Sequence, residues 1–266
     1  NIEIKFNYFK NKLSKIIANN NKIFILVDKK VEHLLNNINY SKNIFIIKIN
    51  GSEKIKDIKN YQTITNKLLS LGIDRESKIV AIGGGSIGDL SGFIASTVLR
   101  GVKFILVPTT LLSQVDSSIG GKNGINTTFG KNLIGTFYQP DEVFIDPKII
   151  ASLPHRELKS GYAEIVKHAL ISDLSFFKWL DKNYKKIFKL DKKALEYAIY
   201  KSIKIKKNFV TSDSKEKLTN EKSRAILNFG HTFGHALETL NKYKNTLTHG
   251  ESISIGMVVA SILSSN

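Results

Sequence analysis

The chain of 266 residues contains no cysteine. Disulfides and thiolate metal ligands are therefore excluded, and the absence suits a cytoplasmic protein. No apolar run reaches membrane-spanning length, so no membrane span is expected. The opening residues, NIEIKFNYFKNKLSK, lack the apolar stretch of a secretory leader, so none is expected. Arginine is scarce: among 40 basic residues only Arg75, Arg100, Arg156 and Arg224 carry a guanidinium. In a lysine-rich chain each arginine invites a reason, since its planar fork binds carboxylate and phosphate as lysine cannot. Charge itself is scarce in one stretch. From residue 79 to 121 only Asp89, Arg100, Lys103 and Asp116 are charged, which marks that stretch as buried or functional.

What is abundant is lysine. The formal net charge is +17, which in isolation suggests nucleic acid or an acidic surface as partner. The lysines are spread through nearly every segment, however, and the glycine-rich centre is almost free of them. That distribution is a drift of solvated positions, and no nucleic-acid partner is expected.

Along the chain, short apolar runs at 2–6, 22–28, 43–49, 77–82, 104–107 and 143–146 alternate with helical stretches at 7–19, 31–37, 61–71 and 90–99. This alternation predicts a parallel, doubly wound sheet. From about residue 151 the pattern is helical: 157–172, 173–183, 192–211, 224–240 and 251 onward. We therefore expect an α/β domain over 1–150 and an all-helical domain over 151–266. The charged stretch 211–223 reads as a solvated loop.

Several groups carry possible chemistry. GGGSIGD at 83–89 follows a strand and opens a helix, a placement that lets backbone amides approach a phosphate. The competing reading is a tight strand–helix turn. Thr109 and Thr110 end the next strand, where α/β sheets bind ligands, and Asp28 and Glu53 lie near the same edge, where acids hold ribose hydroxyls. Lys122, Lys131 and Asn132 sit beside glycines in a manner suited to an anion, against the plain alternative of solvated lysines. Asp116 stands out because acids are rare around it.

The densest group is RAILNFGHTFGHALETLNKYKNTLTHGE at 224–251. On a helix Arg224, Asn228, His231 and His235 follow at three- to four-residue steps on one face, with Glu238 nearby and His249 in a following turn. His231 and His235 in register, with His249, suit a metal site; the rival reading is a surface helix with scattered histidines. In GYAEIVKH at 161–168, Glu164 and Lys167 share a helix face. Glu164 could complete a two-histidine, one-carboxylate set with His231 and His249, leaving an open coordination position.

In order, GGGSIGDLSGFIAS, LRGV, VPTTLLSQVDSSIGGKNGIN, GKNLIGTFYQP, LPHRELKSGYAEIVK, RAILNFGHTFGHALE and HGESISIGM make the chain resemble the 3-dehydroquinate synthase family of sugar phosphate cyclases. The resemblance runs from about residue 20 to the end. It implies a Rossmann-like NAD-binding domain, a helical metal-binding domain and an active site between them. It implies Zn²⁺ or Co²⁺ on Glu164, His231 and His249. It implies NAD contacts from Glu53, Lys56, Gly85, Ser86, Ile87, Gly88, Asp89, Thr109, Thr110, Lys122, Lys131 and Ser152. Substrate and phosphate contacts would come from Asp116, Lys122, Asn132, Lys167, Lys206, Arg224, Asn228 and His235. Arg100 would reach the phosphate held by a second subunit, which implies a homodimer.

The implied reaction converts 3-deoxy-D-arabino-heptulosonate 7-phosphate to 3-dehydroquinate and phosphate with catalytic NAD⁺, in the shikimate pathway to aromatic amino acids. The chain departs from the family in three places: a longer 211–223 loop, Lys242 and Lys244 before His249, and an end at Asn266, from which we expect the family's C-terminal helices to be missing. The alternatives are a related cyclase such as 2-deoxy-scyllo-inosose synthase, a polyol dehydrogenase of similar fold that releases NADH, and a truncated, inactive homologue serving as a binding protein.

Overall fold

The computed structural model describes residues 2–4, 6, 8–18, 21–36, 38, 41–221, 223–240 and 246–265. Lys242 and Lys244, singled out in the sequence, lie outside these residues, as do Asn19 and Asn37 at two expected helix ends. The chain divides into two compact units. One comprises Asn1–Thr109 and Gly120–Ile149, the other Thr110–Ile119 and Ile150–Asn266.

The α/β unit contains strands β1 (Ile2–Ile4), β2 (Ile23–Asp28), β3 (Ile44–Ile49), β4 (Lys78–Gly83), β5 (Lys103–Pro108), β6 (Lys122–Thr127), β7 (Gly130–Phe137) and β8 (Glu142–Ile145). Six form one parallel sheet in the order β1-β8-β5-β4-β2-β3. Strand β2 is buried along its whole length, as a central parallel strand covered on both faces must be. Its Ile23, Ile25 and Val27 join a core with Phe9, Leu13, Ile16 and Ile17 of helix α1 (Phe9–Ile17), residues at the i, i+4, i+7, i+8 spacing of one helix face. Strand β2 pairs with β3 on one side and β4 on the other, so the chain from β3 to β4 crosses over it. The carboxyl ends of β2, β4 and β5 flank that switch point, where open α/β sheets bind ligands.

Two features of this unit differ from the sequence reading. Helix α2 spans Ile58–Ser70, but helix α3 (Gly85–Thr97) begins inside the glycine motif, so Gly85–Asp89 forms its first turn and not a loop before it. Strands β6 and β7 form an antiparallel hairpin in a glycine-rich stretch to which the sequence reading assigned no element. The period-2 signal is lost because KNGINT and GKNLIGTF fill the strand with Gly, Asn and Lys. Gly135 is needed there: a Cβ would lie 2.2 Å from the Asn123 carbonyl oxygen across the hairpin.

The second unit contains α4 (His155–Ser172), α5 (Leu174–Phe188), α6 (Lys192–Ser212), α7 (His231–Leu240) and α8 (His249–Ser264). It also takes in the Thr110–Ile119 segment, which the expected boundary near 150 assigned to the α/β domain. A π-helical turn at Ser113–Ser117 packs against α4 and α6, and Gly161 of α4 permits the approach, since a Cβ there would sit 2.5 Å from Leu112 N. Asp116 is thereby part of the helical unit.

The expected helix over 224–240 is broken. Arg224–Asn228 is a 3-10 turn capped by Ser223, and the chain bends at Gly230, whose φ is +78°, before α7 starts at His231. Helices α7 and α8 then meet through glycine: a Cβ on Gly256 would lie 2.0 Å from the Gly230 carbonyl oxygen. Straight continuation of the helix would forfeit that contact. The 211–223 stretch is largely exposed but is organised by buried Asp213, whose carboxylate accepts from the amides of Lys217, Leu218 and Arg224. Among the described residues no helix is long and apolar enough to cross a membrane.

Asp173 caps α5 through the Phe176 amide and pairs with Lys201 at 2.6 Å. Hydrogen bonds from Lys201, Ser175 and that amide hold its carboxyl at about 2, below the ordinary 3.8. A carboxyl depressed on folding adds stability above its unfolded pKa and loses it as pH falls through the folded value. We therefore expect Asp173→Asn, which keeps a capping oxygen, to lose about 0.5–1 kcal/mol at pH 7 and to converge on the parent as pH falls from 4 to 2. Urea unfolding across that range measures it; a constant difference would refute the assignment.

Candidate active site

In the helical unit the site is built around Glu164. Its position on α4 places it in the core, with a fully buried side chain. One carboxylate oxygen meets the Lys167 ammonium one turn along the same helix. The other, Oε1, has no hydrogen-bond partner. Two imidazoles face that oxygen: His249 Nε2 at 3.6 Å and His231 Nε2 at 3.9 Å. His231 opens α7 and His249 opens α8, so the glycine contact between those helices brings the two rings to 5.6 Å.

The electrostatics suit a cation. Burial would raise the Glu164 carboxyl, but Lys167, with help from His249, outweighs it and holds it down at about 2. Burial pushes His231 down to about 4, leaving its imidazole neutral. Burial acts the same way on His249, but Glu164 and Glu238 overcome it and push the ring up to about 9. A buried ionised carboxylate with an orphaned oxygen and two converging imidazoles is a donor set that fits a divalent metal. The ring nitrogens away from Glu164 are engaged: His231 Nδ1 with the Phe229 carbonyl at 3.3 Å, His249 Nδ1 with Glu238 at 3.0 Å.

Beside this set lies a second group. Lys206 Nζ donates to both the backbone oxygen and Oδ1 of Asp116 at 2.6 Å, and Lys167 lies 4.0 Å from the same Oδ1. Burial opposes ionisation of Asp116, yet Lys206 and Lys167 hold its carboxyl well below the usual range. Its side chain keeps 23% exposure, so the anion can meet a ligand. Arg224 is buried and its guanidinium donates to the Ser214 carbonyl at 3.4 Å. Asn228 donates to Glu216 at 3.3 Å. Neither shares a continuous helix with His231, contrary to the sequence reading. His235 does: its ring stands 5.1 Å from His231.

In the α/β unit a different cluster forms at the sheet's carboxyl edge. Lys56 is buried and donates to Asp89 at 2.7 Å and to Asn132 at 2.5 Å. Burial works against the Lys56 ammonium, but Asp89 and Glu53 raise its pKa. Glu53 lies 3.4 Å from Lys56 and accepts from Asn126 at 2.8 Å. Helix α3 has no side-chain cap, so the amides of Gly85, Ser86 and Ile87 in its first turn suit an anion, while the Gly88 amide donates to the Gly84 carbonyl at 3.1 Å. Thr109 ends β5 with its amide on Gly83 O at 2.9 Å. The site residues thus fit a nucleotide pyrophosphate at α3, with acids and Lys56 nearby.

Other expected contacts fall differently. Asp28 caps the following 3-10 turn and accepts from Gly51, a structural task at the same edge. Thr110 binds Ser113 within the helical unit, and Ser152 is exposed there. Lys122 opens β6 and Lys131 is the second residue of β7 in the hairpin. Arg100 is exposed and, with Leu99, holds a left-handed backbone at φ of 66° and 50°. Two successive non-glycine residues in this region carry backbone strain.

Sequence reasoning missed two contributors. His168 is fully buried, with Nδ1 2.6 Å from Ser202 Oγ and Nε2 3.5 Å from Asp116 Oδ1, so it braces Asp116 from behind. The signal available was a histidine directly after Lys167 on α4. Glu238 was noticed only as a neighbour of the histidines.

Comparison with known proteins bears on the whole chain. Residues 46–160 match the model of the 3-dehydroquinate synthase N-terminal domain, and 161–266 that of the C-terminal domain. The chain is 46% identical over 258 residues to a 3-dehydroquinate synthase of Prochlorococcus marinus (strain MIT 9515), covering 93% of this chain and 69% of that protein. It is likewise 46% identical over 257 residues to one of Pelagibacter ubique, covering 94% and 69%. Among solved structures, a 2-deoxy-scyllo-inosose synthase complexed with carbaglucose-6-phosphate, NAD⁺ and Co²⁺ superposes with a TM-score of 0.80 at 27% identity, covering 99% of this chain and 73% of the other. With both domain models matched in sequence order and near-half identity over most of its length, the chain belongs to the 3-dehydroquinate synthase family.

Proposed function

We propose that the chain converts 3-deoxy-D-arabino-heptulosonate 7-phosphate to 3-dehydroquinate and phosphate, with catalytic NAD⁺ and a divalent metal. The observation that carries this is the orphaned Glu164 oxygen facing His231 and His249, beside an Asp116 carboxylate kept ionised by Lys206 and Lys167. The substrate offers vicinal hydroxyls, a carboxylate and a phosphate, and these residues supply a counterpart for each.

A bound Zn²⁺ or Co²⁺ would supply Lewis acidity toward a substrate hydroxyl, and NAD⁺ would supply reversible hydride chemistry. Glu164, His231 and His249 would hold the metal. Gly85, Ser86, Ile87, Gly88 and Asp89, with Glu53, Lys56, Thr109, Thr110, Lys122, Lys131 and Ser152, would hold the nucleotide.

The remaining residues bind and orient. Asp116 accepts a hydrogen bond from a substrate hydroxyl, and its ionised state keeps both oxygens available as acceptors for that contact. Lys206 and Lys167 fix its rotamer. Lys167 and Arg224, both buried cations, favour the substrate's anionic groups over water, with Asn228 and His235 adding donors toward phosphate. Lys122 and Asn132 complete the set of substrate contacts. The Asp116–Lys206–Lys167 arrangement is made before substrate arrives, so little reorganisation accompanies charge development.

A related cyclase activity is the second reading, since a 2-deoxy-scyllo-inosose synthase shares the fold at a TM-score of 0.81. Identity weighs against it: 28% to that structure, 46% to the curated 3-dehydroquinate synthases.

Homodimerisation belongs to the same reading. The hairpin exposes Phe129, Leu133, Ile134 and Phe137, an apolar group that water should not face in a lone chain. Arg100, held in its strained backbone, would then serve the phosphate bound by the second subunit.

Three outcomes are expected. With NAD⁺ and Zn²⁺ present, phosphate should be released from the heptulosonate phosphate without accumulating NADH. Steady NADH production would instead identify a dehydrogenase, and phosphate at background would sink the enzymatic reading. His231→Ala and His249→Ala should lose bound zinc, measured by elemental analysis, whereas His235→Ala should keep zinc and lose turnover; zinc retained in either of the first two would refute the ligand set. Light scattering should report a dimer that Leu133→Asp with Phe137→Asp converts to monomer, and a monomeric parent would remove the dimer and the role of Arg100.

A further inference from the structure

The His249 main chain is fixed by its surroundings. It is the first residue of α8, behind the Thr248 cap, and Glu251 completes a capping box by reaching back to the Thr248 amide at 2.7 Å. Arg156 holds Glu251 in turn with a two-pronged contact at 2.8 and 2.7 Å. Gly250, the next residue, donates to Ser160 Oγ at 2.9 Å, and a Cβ there would lie 2.2 Å from the Ser160 carbonyl oxygen. None of these contacts touches the imidazole. The ring remains 31% exposed and could turn about its own bond, presenting either nitrogen to Glu164.

Glu238 removes that freedom. It lies seven residues beyond His231, two turns along the same face of α7, and its side chain is only 11% exposed. Its Oε1 stands 3.0 Å from His249 Nδ1. An ionised carboxylate only accepts, so the contact requires hydrogen on Nδ1, and in the neutral ring the lone pair falls on Nε2. Nε2 is the atom 3.6 Å from Glu164 Oε1. The same device serves His231 in weaker form, where a backbone carbonyl takes the place of the carboxylate. One helix thus carries both a ligand, His231, and the group that aims the other ligand.

We infer that Glu238 is a positioning residue for the metal: it fixes the ring orientation and tautomer of His249, without binding the ion itself. The inference rests on the ligand set in the functional reading above. A rival role exists, because one atom each of His235, Glu238 and His249 also lie within 4.8 Å of one another and could hold a cation directly. The outer position follows from the chemistry of His249: Nδ1 is occupied by Glu238, so the nitrogen left for an ion points at Glu164.

The test is zinc affinity of the metal-stripped full chain, measured by competition with a chromophoric chelator, with the visible spectrum of the Co²⁺-loaded chain as second readout. Glu238→Ala should bind zinc about 10–100-fold more weakly, the usual effect of removing an outer carboxylate. Glu238→Gln, whose amide oxygen still accepts from Nδ1, should recover most of that loss. The Co²⁺ band pattern should be unchanged in both. Affinity within about twofold of the parent in Glu238→Ala would overturn the inference, since loss of a ligand's orienting partner is not silent. So would loss of zinc in Glu238→Gln as complete as in His249→Ala together with an altered Co²⁺ spectrum, which would make Glu238 a ligand. Glu238→Gln conserves shape, so it reads the effect even where the alanine variant folds poorly. Turnover is not measured in this experiment. A chain that responds as expected but releases no phosphate would leave the inference intact and sink only the functional reading.

Discussion

The helical unit is organised around one incompletely satisfied feature, the buried carboxylate of Glu164. Taking an ion of this size out of water costs several kcal/mol even after relaxation, and attraction to a partner repays it only with good geometry and full hydrogen bonding. Lys167 supplies the partner from the next turn of α4. Full hydrogen bonding is not supplied, since Oε1 is left facing two imidazoles without a partner. A chain selected for stability alone would close that gap with a donor or replace the pair by apolar side chains. A site that holds a cation explains why it does neither.

Around this charge the other ionised groups fall into order. Asp116 stays an anion because Lys206 and Lys167 stand beside it, and both lysines would be costly to bury without it. His168 and Ser202 complete the support from a buried position. Glu164 and Asp116 share Lys167, so neither could be rearranged independently. Their positions depend in turn on glycine. The close approach of α7 and α8 at Gly230, Gly234 and Gly256, and of α4 and α8 at Gly250, leaves no room for a Cβ. Helices packed this closely cannot slide, and His231 and His249, each at a helix start, inherit that rigidity.

Much of this was legible beforehand. The parallel strands announced themselves as short β-branched runs, because a strand buried on both faces has no polar positions to disguise it. The helices from 155 onward were legible as a change to helical pattern after about residue 151. Glu164, His231 and His249 could be picked out as an unusual density of ligand-type residues in an otherwise apolar setting. The β6–β7 hairpin was not legible, because glycines and asparagines that serve close strand approach read as loop. The break at Gly230 was hidden for a related reason. A three- to four-residue step through Arg224, Asn228, His231 and His235 is helical on paper, and only packing against α8 rewards the bend.

The sequence by itself determined which elements form and which residue types are available. Local propensity, capping and burial pattern act over a few residues, and they are written in order along the chain. It could not decide which groups meet. Arg224 and Asn228 left the histidine helix and Asp116 joined the helical unit, because each outcome depends on contacts between residues distant in sequence. Electrostatics made that decision consequential. The state of Glu164, His231 and His249 is set by burial and by neighbours, and neither exists until the helices have packed.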